Sequence, residues 1–307
     1  MPTLAHVPLE VVTTPYGRPA LTALRDAVAA AKGGDALAPV TVVVPSNHVG
    51  VTARRLLASG SLGGVAATGT GVAAVTFLTA YRLAELLGSA ALAATGRRPV
   101  STPVIAAALR RALADDPGMF APVAGHPATE TALVATFTEL SDVSPDSLAA
   151  VAAAGRRAHD VVRICRRARD LLAAGWYDES DLTAAAVAQV RDSPQGRLVA
   201  DIGRLVIHLP QDLFHRQAEL LATLADRLPT TVVVGVTGRA DADAGVARSL
   251  TRLGVAAPPG DLAPASDSAA PPPALTVAAG TTRILTASDA DDEVRAAVRR
   301  VVDAVRA

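Results

Sequence analysis

At 307 residues the chain can hold one large domain or two ordinary ones, with ample core. Its 29 basic and 29 acidic residues cancel, so no global field advertises nucleic acid, and 3% aromatic residues leave few stacking platforms for single strands. One cysteine, Cys165, excludes an internal disulfide and any cysteine-built zinc site and fits a reducing cytoplasm.

No basic segment precedes an apolar block at the N-terminus, so no secretory signal is visible. Leu9 to Arg25 is expected as a first strand that feeds, through a turn, a first helix. Lys32, the only lysine among the 29 basic residues, stands at that helix's end. A phosphate-binding loop of the form Gly-x-x-x-x-Gly-Lys-Ser/Thr needs a lysine to reach the outer phosphates, and Lys32 is not placed for that. Pro39 to Pro45 predicts a second buried strand, with Ser46 and Asn47 opening the next helix, where capping is their ordinary use. Leu56 to Tyr81 carries no charge and is long enough to span a bilayer. Its five glycines and six Ser/Thr residues predict turns and a strand instead. The Gly69-x-Gly-x-x-Ala run within it precedes a strand, Val72 to Phe77, rather than closing one. It is therefore discounted as a dinucleotide fingerprint.

From about Ala90 to Arg191 the pattern turns helical, with apolar residues at three- and four-residue spacing in Ala106–Ala114, Thr129–Leu140, Ser147–Ala153 and Val161–Ala173. Arg156, Arg157, Arg163, Arg166, Arg167 and Arg169 crowd one part of it. They read as a duplex-backbone site or, more ordinarily, as a solvated helix face paired with Asp160 and Asp170. Trp176 reads as a small core anchor that could also present a ring to a base. Leu205-Val-Ile-His208 and Thr231 to Val236 are continuous β-branched runs around a helix, the pattern of a parallel sheet covered on both faces. In such sheets ligand chemistry sits at the strands' carboxyl ends, here His208 to Asp212. His208 and His215 are expected as surface or loop histidines, with no metal site. Pro258 to Pro273 reads as a linker, and Thr282 to Val305 as a short strand, an acidic cap at Ser288/Asp289 and an amphipathic helix.

Several of these segments, in order, resemble the motifs of UvrD/RecB-type superfamily 1 helicases, in the degenerate form found in AddB/AdnA-like helicase–nuclease subunits. The first turn is similar to Gly-Arg-x-Gly-x-Gly-Lys-Thr. Gly17 and Arg18 match, Ala20 and Thr22 replace the next glycines, and Ala23 and Leu24 replace the Lys-Thr pair. His208-Leu209-Pro210-Gln211-Asp212 stands at motif II, Asp-Glu-x-Gln-Asp, keeping only Gln211 and Asp212. Gly235 stands at the glycine of motif III, with Val236 and Arg239 at its acidic and glutamine positions. Pro39 to Asn47 is similar to motif Ia, and Val75-Thr76-Phe77 to the Val-x-Thr-Phe-His segment, Leu78 replacing the histidine.

The resemblance implies a RecA-like (P-loop NTPase) α/β fold built as 1–89 plus 192–255, with a helical insertion at 90–191. A linker at 256–282 and the start of a truncated second RecA-like domain at 283–307 would follow. It implies a vestigial motor in recombination and double-strand-break repair, binding DNA or acting as a scaffold beside an active AddA- or UvrD-like subunit, with no membrane partner. ATP and magnesium belong to the parent family only. Gly17, Arg18, Thr22, Gln211 and Asp212 would mark the degenerate nucleotide site. Ser46, Asn47, Thr76, Arg163 and Arg167 are the DNA-binding candidates. The competing expectation is a doubly wound α/β enzyme for a nucleotide or sugar-nucleotide. No Gly-x-Ser-x-Gly elbow, His-Glu-x-x-His pair or Glu/Asp-x-Lys nuclease signature is present.

Overall fold

The computed structural model describes residues 9–65, 71–255, 286–287 and 289–306. They fall into a large body within Met1–Ala265 and a small one within Ser266–Ala307. In chain order the large body runs β1 (Leu9–Pro15), α1 (Arg18–Lys32), β2 (Val40–Val43), α2 (Asn47–Ala58), β3 (Val75–Leu78), α3 (Ala80–Ala94) and a two-residue β4 (Arg98–Pro99). Next come α4 (Thr102–Asp115), α5 (Pro127–Leu140), α6 (Pro145–Ala153), α7 (Arg156–Leu172) and a two-residue β5 (Trp176–Tyr177). The remainder is α8 (Glu179–Asp192), α9 (Arg197–Ile202), β6 (Arg204–His208), α10 (His215–Ala225), β7 (Thr230–Val236) and α11 (Ala240–Arg252).

Five strands form one parallel sheet in the order β1-β7-β6-β2-β3. Val11 pairs with Val232, Ile207 with Val232, and Val42 with both Val206 and Phe77. Because successive side chains leave a strand on opposite faces, each apolar run feeds two cores. Val42, Val44, Val206 and Val233 pack against Leu24 and Val28 of α1 and Ala53 and Leu57 of α2. Val43, Leu205, Ile207, Val232 and Val234 pack against α3, α8, α10 and α11. With both faces covered, no position in β2, β6 or β7 needs a polar residue, which is why these runs are continuous.

At the amino edge of the sheet, Gly203 is required by close approach as well as by its φ of +68°. A Cβ there would lie 2.1 Å from the Pro39 carbonyl oxygen. Lys32 ends α1 beneath the same edge, and its ammonium donates to the carbonyls of Ala36, Ala38, Ala73 and Ala74 at 3.0, 2.6, 2.6 and 3.3 Å. Ala74 itself has φ +48°, so the buried cation holds a left-handed residue at the entrance to β3.

The segment expected as one helical block, 90–191, is divided between two cores. Leu109, Leu113, Leu133, Phe137, Ile164 and Cys165 form a core of their own from α4, α5 and α7, with Trp176 at its margin. α8 leaves that group. Its stripe of Leu182, Ala186, Val187 and Val190 joins the sheet core beside α3, where a Cβ on Gly88 would come within 2.6 Å of the Leu182 carbonyl. The stripe is as apolar as the sheet it covers, and contiguity in sequence gave no hint of the change of partner. Burial pushes the Cys165 thiol up to about 11, so it acts as an inert small hydrophobe.

In the small body α12 (Ala290–Arg306) is the expected amphipathic helix. The Asp289 carboxylate accepts from the Asp292 backbone N–H at 2.9 Å, and Asp291, Asp292 and Glu293 fill the first turn. The expected linker at 256–282 lies outside the described residues, as does most of the strand expected before this helix. No helix among the described residues is long and apolar enough to cross a membrane.

Candidate functional site

The loops that leave β1, β7 and β6 stand side by side at the carboxyl edge, because those strands are neighbours in the sheet. Gly17, Gly235 and Gln211-Asp212, far apart in sequence, are thereby brought to one crest. Gly17 takes φ +84°, a left-handed turn that lets α1 start at Arg18 without a side-chain cap. A Cβ at Gly17 would meet nothing within 4 Å, so its glycine serves the turn and not a close contact.

Over β7 the crest is filled. A Cβ on Gly235 would lie 2.5 Å from Cε1 of Tyr16 and 2.7 Å from Cδ2 of Leu209, so the two side chains close over this glycine from either side. The Gln211 side-chain amide donates to the Tyr16 hydroxyl at 3.5 Å, joining the loops after β1 and β6 above the plug. Leu209 adopts φ +56°, a conformation that costs a branched residue about 1–2 kcal/mol and turns the chain away from β6.

The other members of the expected nucleotide site point elsewhere. The Arg18 guanidinium donates to the Ser61 carbonyl at 3.1 Å, toward the connection between β2 and β3. Thr22 is half-buried in α1 one turn further on. The Asp212 carboxylate faces α11, 3.2 Å from Arg248 and 3.9 Å from Arg252. The Leu213 N–H donates to Ser249 Oγ at 2.9 Å, and Arg252 donates to the Leu213 carbonyl, so the loop after β6 is strapped to that helix. The loop after β7 is closed in the same way. The buried Asp243 carboxylate accepts from the Thr237 and Gly238 N–H groups and the Thr237 hydroxyl, all between 2.9 and 3.1 Å. Arg239, at the glutamine position of motif III, pairs with Asp241 at 2.8 Å. Asp243 was not singled out in the sequence. Its cue is an acid in the first turn of a helix that follows a strand and a Thr-Gly pair.

The β6–β2 side of the crest is open. Helices leave these two neighbouring strands toward opposite faces, α2 to one and α10 to the other, and the crevice between such strands is where α/β sheets place ligands. A cleft of about 510 Å³ lies there, bounded by Val44–Pro45, the first turn of α3 and the loop 208–214. His208 lines it. Contrary to its expected place on the surface, the imidazole is 1% exposed, and neither ring nitrogen has a hydrogen-bond partner. The reason is that the strand reaches this far: His208 is the last residue of β6, paired with Val233, and both faces of the sheet are covered, so a side chain here is buried whichever face it takes. Burial depresses its pKa to about 4, so the ring is neutral at physiological pH.

The DNA-binding candidates separate into two groups. Ser46 caps α2, its Oγ accepting from the Val49 N–H at 3.3 Å, while Asn47 beside it and Thr76 on the edge strand β3 are exposed. Arg163 and Arg167 belong to α7, and both are already paired. Arg163 lies 3.3 Å from Asp160 and 2.6 Å from Asp116, and Arg167 lies 3.2 Å from Asp115. Two of these acids come from the end of α4 and not, as expected, from Asp170 on the same helix. The Met119 N–H and Arg163 hold the Asp160 carboxyl below the ordinary carboxylate value. Among the described residues no cluster of three or more His, Cys, Asp or Glu side chains is arranged to hold a metal ion.

By fold the chain is an α/β protein whose five-stranded parallel sheet is covered by helices on both faces. No known family matches the chain, and no curated protein is similar to it at a significant level.

Proposed function

We propose that the chain is a vestigial superfamily 1 helicase-type motor with a RecA-like sheet, of the kind found in AddB/AdnA-like subunits. It serves as a DNA-holding scaffold beside an active helicase–nuclease subunit and does not turn over ATP. The observation that carries the reading is the meeting of the three motif-like loops, at Gly17, Gln211-Asp212 and Gly235, on the adjoining strands β1, β6 and β7. In a motor that crest would hold the phosphates and the metal. Here Tyr16 and Leu209 fill it, and Asp212 is spent on α11. Backbone contact to DNA falls to Asn47 and Thr76, the exposed donors at the start of α2 and on the edge strand. Arg163 and Arg167, neutralised by their acids, hold α4 to α7.

Fluorescence anisotropy with a labelled duplex bearing a single-stranded tail tests this. At low salt the chain is expected to bind, and Asn47→Ala with Thr76→Ala to weaken binding about tenfold, roughly one charge-assisted hydrogen bond. No binding at low salt, or loss only on Arg163→Gln, would overturn the assignment. The competing reading, an α/β protein for a nucleotide or sugar-nucleotide, draws on the open cleft between β6 and β2. It predicts thermal stabilisation by such ligands, which the scaffold reading does not.

A further inference from the structure

A second cleft, of about 500 Å³, opens between the sheet-covering helices α3, α8 and α10 and the separate helical core, with a mainly apolar lining. That volume is in the usual range for a small-molecule site. Tyr81, Phe137, Tyr177 and Phe214 line it, half of a complement that totals only four Phe, three Tyr and one Trp. Phe214 is 60% exposed and Tyr81 40% exposed, a high solvent cost for a chain that uses aromatic side chains so sparingly.

The charge around these rings is mostly negative. Glu139, Asp142, Asp178 and Glu179 line the cleft against a single guanidinium, Arg216, which lies 2.9 Å from Glu219, an acid it shares with Arg191. Asp142 accepts from the His215 and Arg216 N–H groups at 2.6 and 3.0 Å, and Asp178 from the Asp181 N–H at 2.9 Å, so the positive ends of α10 and α8 are already answered. Glu179 accepts only from the neutral amide of Gln217, at 3.1 Å. Glu139 makes no hydrogen bond or ion pair with any described residue. It sits in the last turn of α5, whose negative dipole end adds to the field. Burial raises the Tyr81 hydroxyl above its ordinary pKa, and Glu85, Tyr177 and Glu179 add to that. A phosphate would meet four acids here against one guanidinium.

We propose that this cleft binds an organic cation with an apolar or aromatic body. The rings of Tyr81, Tyr177 and Phe214 take the body and the cationic face, and Glu139 and Glu179 balance the charge. Cation–π attraction and carboxylate pairing act in the same small volume, so charge and apolar surface are recognised together. The lining leaves out the crest residues Tyr16, Leu209 and Gly235 but shares Tyr81, Phe214 and Gln217 with the cleft between β6 and β2, and the site does not depend on the motor reading.

The test titrates the full chain with benzyltrimethylammonium and, in parallel, with benzyl alcohol and benzoate. Trp176, next to Tyr177 and the only tryptophan, gives the fluorescence signal, and saturation-transfer NMR gives an independent one. The expected result is saturable binding of the cation, about fivefold or more tighter than the alcohol, with no response to benzoate. Glu139→Gln and Phe214→Leu, both at exposed positions, should each weaken it about three- to tenfold without lowering Tm. Tyr81→Leu repeats the test from another element should either variant fail to fold. Absence of saturable cation binding, equal binding of alcohol and cation, or indifference to all three substitutions overturns the proposal.

Discussion

The two ends of the sheet treat a buried nitrogen group in opposite ways. At the amino edge the Lys32 ammonium donates to four carbonyls and ties α1 to the entrances of β2 and β3. At the carboxyl edge the His208 imidazole is more deeply buried and has no partner. A buried polar group without a partner costs about 1–3 kcal/mol, and one that is fully bonded rigidifies its surroundings. The amino edge is therefore built for stability. The carboxyl edge keeps an unfavourable residue at the end of β6 and closes the neighbouring space with Tyr16 and Leu209.

The largest break in this contrast comes from the amino edge. Lys32→Met should cost about 3–4 kcal/mol in urea unfolding, because four carbonyls lose their donor and Ala74 loses the contact that holds its left-handed backbone. A cost under about 1 kcal/mol would show that water replaces the ammonium and that the edge is not built around it. Acid probes the other end. His208 titrates near 4 when folded and near its ordinary 6.5 when unfolded, so below 6.5 the unfolded chain binds more protons. Its contribution is complete above pH 6.5 and is lost as pH falls toward 4, about 3 kcal/mol over that window. His208→Leu should flatten this limb and, at neutral pH, raise stability by about 1 kcal/mol. An unchanged acid limb would place the titration elsewhere.

Tyr16→Ala should cost about 2 kcal/mol, less than a fully buried ring because Tyr16 is half-exposed, and crystallography of the variant should show space over Gly235. Asp212→Asn is expected to have the smallest effect, below about 1 kcal/mol by the same assay, because its arginine pairs lie at the surface. A larger loss would mean that the strap to α11 holds more than a loop.

The sheet was legible because buried parallel strands leave a signature that requires no knowledge of partners. Val11, Val42, Val75, Ile207 and Val233 all fall in it as the apolar runs suggested. The crest was legible only in part. Gly17, Gln211 and Asp212 mark its loops, but the residues that decide its character act across long separations. Tyr16 reaches Gln211 from 195 positions away, and Asp142 caps α10 from 73 away. His208 was misread as exposed because a histidine two residues before a proline looks like a loop residue, whereas it is the last residue of a strand covered on both faces. The aromatic cleft left no trace at all, since Tyr81, Phe137, Tyr177 and Phe214 come from four separate elements or their edges and share no spacing.

Whether the crest over Gly235 is closed to nucleotide is decided by isothermal titration of the full chain with ATP and magnesium, followed by phosphate release with single-stranded DNA present. No binding heat and no release above background are expected. The same is expected for Ala23→Lys, since a lysine alone restores neither the cradling glycines nor the metal-holding acids, and each lost stabiliser costs a few kcal/mol. Micromolar binding, or phosphate release abolished by Thr22→Ala or Asp212→Ala, would contradict closure.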